Sequence, residues 1–191
     1  MTETLERGVT PVLVKLWVKD RFGQEGVEKV TARLEGDALD MFENPVSNNW
    51  YPVTYLKQIY SAISDEFGKD KPSLFTDYGR FDAENSTKGA LRFLMRLVSG
   101  KNLIKRVRTF WKHYVKGASL DITDIKKKDG HTEITLVMEG YDAGPPGCRA
   151  IEGYIQTLLP KAGVHDVKIT EKTCIHKGDD ICSWLVSWDE K

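Results

Sequence analysis

Three cysteines and a cluster of acids are the residues of this chain whose types and spacing suit chemistry. Cys174 and Cys182 lie in the run Glu171-Lys-Thr-Cys-Ile-His-Lys-Gly-Asp-Asp-Ile-Cys182, and Cys148 lies 26 residues before Cys174. The turn formers Lys177-Gly-Asp-Asp180 predict a hairpin that brings the Cys174 and Cys182 sulfurs toward each other. Cys148 falls in the first turn of a predicted helix, where the helix dipole favours a thiolate. If that helix packs across the end of the hairpin, three soft ligands converge, which suits zinc once a fourth is supplied. Glu171, His176, Asp179 and Asp180 are the nearby candidates. Ideal strand alternation puts Glu171 and Cys174 on opposite faces unless a bulge intervenes, and His176 is the softer donor, so the residue types leave the fourth position open. The same sulfurs also suit a Cys174 to Cys182 disulfide or three small buried thiols, because the paired Cys-x-x-Cys knuckles of a strong zinc motif are missing.

These residues must be positioned by two unlike halves. Apolar residues recur at helical spacing from Pro11 to Phe22 (Val12, Leu13, Leu16, Trp17) and from Gln24 to Leu34 (Val27, Val30), with Gly23 between. Further helices are expected over Val53–Phe67, Ala83–Val98 and Asn102–Val115, so residues 1–116 read as a helical portion. After Gly117 the period changes to two. Ile134, Leu136 and Met138 alternate with polar neighbours across an Asp129-Gly130 turn, which predicts a hairpin. Gly144-Pro-Pro-Gly147 breaks the chain before a helix through Ile151, Tyr154, Ile155 and Leu158, and strands follow at Val167–Thr173 and Ile181–Trp188. The expected fold class is α+β, one domain over 1–191, with the helical half packed on a β-β-α-β-β antiparallel sheet unit over 117–191.

Composition narrows the function classes. The 191 residues are 40% hydrophobic and 29% charged, with 28 basic and 28 acidic side chains, so wholesale polyanion coating is not expected. No run approaches the roughly 18 apolar residues of a membrane span, and the start carries no signal-peptide core, which predicts a cytoplasmic protein. Charge is uneven: residues 86–116 hold nine bases and no acid. That block suits docking of an acidic protein, lipid or nucleic-acid surface, or solvated helix faces balanced by acids elsewhere; no nucleic-acid-binding motif accompanies it.

Cys148, Gly153, Glu171, Cys174, Gly178-Asp179 and Cys182, closed by Trp184-Leu-Val-Ser-Trp188, resemble the 4-vinyl-reductase-type ligand-binding domain. That resemblance implies a zinc held by Cys148, Glu171, Cys174 and Cys182, a homodimer, and signal transduction to a downstream protein. It also implies the broad fold shared by vesicle-tethering TRAPP subunits and by the haem-based nitric oxide sensors called H-NOX. For a haem, His113 is the candidate proximal ligand, but of the Tyr-x-Ser-x-Arg that grips propionates the chain keeps only the tyrosine of Tyr141-Asp-Ala-Gly-Pro145.

The function expected is therefore a sensor or carrier of a small apolar or aromatic molecule, with Trp50, Tyr55, Phe93, Phe110, Trp111 and Tyr114 as candidate ligand-binding residues. The alternatives are an interaction module using the basic block, and a haem-based gas sensor or a tetrapyrrole vinyl reductase. No catalytic residue is expected, because the chain offers no Gly-x-Gly-x-x-Gly after a strand as a hydride-donor site, and a zinc saturated by four protein ligands has no open position.

Overall fold

The computed structural model describes residues 3–86 and 100–189, apart from the side chains of 100–106. The chain runs β1 (Leu5–Arg7), α1 (Val9–Thr31), α2 (Gly36–Glu43), β2 (Trp50–Pro52), α3 (Val53–Phe67), α4 (Leu74–Ser86), α5 (Gly100–Tyr114), β3 (Val115–Lys116), β4 (Ser119–Lys128), β5 (His131–Glu139), α6 (Gly144–Lys161), β6 (His165–Thr173) and β7 (Cys182–Asp189). The expected α+β class, helices first and a β-β-α-β-β unit second, is what the structure has.

The two helices expected on either side of Gly23 are one kinked element, α1. Gly23 takes φ 71° there, a left-handed conformation in which the helical ladder breaks and resumes at an angle. Helix α3 keeps its expected bounds because Val53, Leu56, Ile59, Tyr60 and Ile63 make a continuous buried stripe. The Gly-Pro-Pro-Gly segment does not precede α6 but begins it. Proline is well suited to a first helical turn, where its missing N–H removes no bond. Of the helix expected over 83–98, residues 83–86 form the end of α4 and 87–99 lie outside the described residues.

Four strands pair antiparallel in the order β4-β5-β7-β6. Asp129 (φ 50°) and Gly130 (φ 80°) make the tight turn between β4 and β5. On the inner face of the sheet Ile134 lies opposite Val186, Leu136 opposite Trp184 and Met138 opposite Cys182, and all six are buried. Each such side chain contributes roughly 1.5–3 kcal/mol when fully buried. The short strands β2-β1-β3 form a second small sheet that holds the N-terminus against the start of α3 and the end of α5. No helix among the described residues is long and apolar enough to cross a membrane.

Helix α6 lies on the sheet side of α4, and these two helices share the most extensive contact in the described structure. Their backbones touch through glycines. A Cβ on Gly79 would sit 2.0 Å from the Ala150 carbonyl oxygen, and a Cβ on Gly153 would sit 2.0 Å from that of Thr76. Neither site has a flexible side chain to move aside, so any larger residue must part the helices. Gly153→Ala is accordingly expected to cost about 2–3 kcal/mol by overpacking. That loss, read as a lower urea midpoint with unchanged slope, checks the crossing; a variant as stable as the parent contradicts it.

Candidate ligand cavity and the cysteine cluster

Above the inner face of the sheet, α1, α3, α4, α5 and α6 border a partly open cavity of about 220 Å³. Its wall is mostly apolar: Val107, Phe110, Trp111 and Tyr114 from α5, Ile151, Tyr154, Ile155 and Leu158 from α6, and Leu120, Ile134, Leu136 and Val186 from the sheet. Helical spacing explains two of these walls. The α6 residues recur at i, i+3, i+4 and i+7, and the α5 residues at i, i+3, i+4 and i+7.

Two carboxyls interrupt this apolar wall. Glu6, 3% exposed, accepts hydrogen bonds from the Thr10 hydroxyl (2.6 Å) and the Tyr141 hydroxyl (3.0 Å). Burial pushes its pKa up to about 8, against the lowering effect of those two bonds and with added repulsion from Asp82. Asp82, on the cavity side of α4, is raised to about 7 by burial. Burial also raises the phenols of Tyr60, Tyr78, Tyr141 and Tyr154 above the ordinary tyrosine value. The Tyr78 hydroxyl and the Trp188 indole N–H, both on residues 1% exposed and both at this cavity, have no hydrogen-bond partner among the described residues, although the Tyr60 phenol is close enough to perturb that of Tyr78. Among the described residues the lining holds no Lys, Arg, His, Cys or Met.

Of the residues expected to bind a ligand, Phe110, Trp111 and Tyr114 line the cavity. Trp50 does not: its ring lies in the small sheet under the charges of Lys116 (3.9 Å) and Arg7 (5.8 Å). Tyr55 faces outward and donates to Asp37 (2.7 Å). Phe93 lies outside the described residues, as does much of the basic block; in its described part Arg108 pairs with Asp121, and Lys112 and His113 are exposed. Sequence reasoning missed Glu6, Tyr78, Asp82, Tyr154 and Trp188. Asp82 carried a signal, since it continues the buried stripe of Leu74, Phe75 and Tyr78 where a solvated acid has no place.

The structure brings Cys148, Cys174 and Cys182 together. The Cys148 sulfur lies 4.0 Å from that of Cys174 and 3.8 Å from that of Cys182, and no disulfide joins them. The loop is shaped by Asp179, whose carboxylate accepts the Cys174 N–H (2.7 Å), and by Gly178 at φ 97°. Burial and the neighbouring sulfurs hold the Cys148 thiol well above its ordinary range, and burial raises Cys182. Glu171 is not part of the group: its carboxylate pairs with Lys177 and lies 3.8 Å from Arg149, although a register shift between Glu171 and Thr173 does bend the strand. His176 faces Asp142 instead (3.5 Å).

No protein-family model matches the chain, and no curated protein matches its sequence. Solved structures do match in fold. An H-NOX protein from Shewanella oneidensis in the Fe(II)NO ligation state is 16% identical over 96% of this chain and 99% of its own, with a TM-score of 0.68. The Fe(II) unliganded H-NOX protein from K. algicida is 14% identical over 97% of each chain at 0.66. An oxygen-binding H-NOX domain related to soluble guanylate cyclases is 13% identical over 97% of this chain and 95% of its own, also at 0.66. The chain has the H-NOX fold. These neighbours correct the expected cofactor: their metal is iron rather than the zinc inferred from cysteine spacing, and the supposed fourth ligand, Glu171, is engaged by cations. The 4-vinyl-reductase-type resemblance finds no match among them.

The iron-bearing group that the fold implies is haem, and this cavity does not fit it. Haem iron takes an axial His, Cys, Met or Tyr. The expected proximal ligand His113 is exposed at the end of α5, and neither His131, which pairs with Asp189, nor His165 nor His176 reaches the cavity. The tyrosines that do reach it are held in the phenol form by burial, and no described lining residue carries a positive charge for propionates. At about 220 Å³ the space is also below the roughly 300–1,000 Å³ of pockets for drug-sized ligands.

The buried carboxyls make stability depend on pH with a definite sign. Both are raised in the folded chain, Glu6 from 4.5 to about 8 and Asp82 from 3.8 to about 7. Their contribution is fully present below the unfolded values and is lost as pH rises through the folded ones. Between about pH 5 and 9 the protein is expected to lose on the order of a few kcal/mol, and Glu6→Gln is expected to flatten that slope. Urea titrations across the range check this, and stability that is level or rises with pH contradicts it.

Proposed function

We propose that this chain is a small-molecule sensor or carrier domain whose ligand, an apolar or aromatic molecule, occupies the cavity between the helical half and the sheet. The observation that carries the reading is the cavity itself: a partly open, mostly apolar space with two polar atoms, the Tyr78 hydroxyl and the Trp188 N–H, without partners among the described residues. Buried polar groups in folded proteins are nearly always satisfied, so such orphans are explained by something that fills the space. An apolar cavity of about 150 Å³ takes up benzene, so about 220 Å³ suits a one-ring or small two-ring body. The 4-vinyl-reductase-type resemblance of the segment from Cys148 to Trp188 belongs with this reading, as do the homodimer and the downstream protein that it implies. Binding rather than turnover is the role proposed, in keeping with sensor domains as the fold neighbours.

A second reading, a haem-based gas sensor, is favoured by the fold likeness over nearly the full length of both chains. The chemistry of the cavity lining counts against it, and one experiment separates the two.

Purified protein is to be screened by thermal denaturation with benzene derivatives, phenols and indoles, and in parallel titrated with ferrous haem. At a hundredfold excess over its dissociation constant a bound ligand adds about 2.7 kcal/mol, which for a chain of this size raises Tm by roughly 5–10 °C. Ile151→Trp, which fills the cavity from α6, is expected to remove the shift. A one-to-one haem complex with a sharp Soret band moves the conclusion to gas sensing. Failure of every apolar probe and of haem discards the cavity as a binding site.

A further inference from the structure

The cavity is not electrically neutral ground. Glu6 and Asp82 open onto the same apolar space, Asp82 raises the energy of Glu6's charged form, and among the described lining residues there is no cation to pair with either. A carboxylate held away from water without a cation is costly, and buried Glu6 together with half-buried Asp82 at one cavity define the complementary chemistry, a positive charge with hydrogen-bond donors. The donors already present, Thr10 and Tyr141, occupy Glu6 only in part; Asp82 has no hydrogen bond from a described residue. The second, independent sign of a guest is the Tyr78 hydroxyl, one helical turn before Asp82 on α4, 1% exposed and without a hydrogen-bond partner among the described residues at the same cavity.

We propose that the ligand is an amine: a protonated primary or secondary ammonium held between Asp82, Glu6 and the Tyr78 hydroxyl, with an aromatic or aliphatic body lying along Phe110, Ile151 and Leu158. The inference rests on the reading of the cavity as a ligand site and adds the ligand's charge. An ammonium offers two or three donors and one positive charge, which matches two acceptor groups and a free phenol oxygen. A carboxylic acid of the same shape brings a third carboxyl group and no positive charge, and a neutral alcohol brings one donor and no charge. Hydrogen bonds to charged groups are stronger than neutral ones, so the ammonium gains most from the site.

The test uses the full-length protein and three probes of one shape: 2-phenylethylamine, 2-phenylethanol and 3-phenylpropionic acid, measured by isothermal titration calorimetry. The amine is expected to bind about tenfold or more tighter than the alcohol, and the acid more weakly than both. In Asp82→Asn, and in Glu6→Gln, the amine is expected to lose about tenfold while the alcohol stays within about twofold. Wild-type titrations of the amine in buffers of different ionisation enthalpy are expected to show proton release, since pairing with an ammonium shifts the carboxyls to their charged form; this readout needs no variant. Equal affinity for amine and alcohol, or tightest binding of the acid, overturns the amine proposal and leaves the cavity reading standing. Absence of binding by all three overturns both.

Discussion

Helices α4 and α6 can lie in backbone contact only because Gly79 and Gly153 present no side chain at the point where they cross. That contact fixes the place of the cavity wall. With α6 held that close, its opposite side faces the sheet at the distance that leaves Ile151, Tyr154, Ile155 and Leu158 along one side of the cavity. Asp82 lies one turn beyond Gly79 on α4, and the same crossing brings it to the cavity that Tyr154 also lines. A wider separation of the helices would admit water between them and dissolve the enclosure on which the raised carboxyl depends.

The enclosure and the acids work against each other energetically. Apolar walls favour folding, and the same walls disfavour the charged forms of Glu6 and Asp82. Thr10 and Tyr141 soften the cost at Glu6, whereas Asp82 bears it without a described donor. A core selected for stability alone would place an apolar residue at both positions. Both acids instead sit in a mostly apolar wall, where burial disfavours their charged forms.

Much of the scaffold is legible in the sequence because it follows simple periods. The bounds of α3 coincide with the expected Val53–Phe67, and the Asp129-Gly130 turn joins β4 and β5 as its residue types require. The shortest elements are not legible: β1, β2 and β3 have two or three residues each, too few for any alternation, and they exist because distant segments meet to pair. Pro145 and Pro146 look like breakers in the sequence although proline also begins helices, and only tertiary structure tells the two apart. The convergence of Cys148, Cys174 and Cys182 is legible from the hairpin, since local geometry brings two of the sulfurs together. The cavity is less so. Aromatic character points to Phe110, Trp111 and Tyr114, which do line it, and equally to Trp50 and Tyr55, which do not, because aromatic type says nothing about which way a face turns.

The thiol cluster and the cavity are two ends of one mechanical unit. Helix α6 carries Cys148 at the start of its second turn, one turn later than expected because Gly144 already begins the helix, and the cavity wall from Gly147 to Leu159, and strand β7 carries Cys182 at its start and Val186 and Trp188 at its cavity end. Sulfur contacts at 3.8 and 4.0 Å fasten the beginning of α6 to the ends of both strands of the hairpin. Further along, Trp184 donates to Glu152 (3.2 Å), so the same helix and strand are tied again beyond the thiols. Helix α6 is therefore pinned at its beginning and crossed by α4 at its middle. At its far end α6 closes on Pro160, which gives no N–H to the helical ladder, with Leu159 buried beside it.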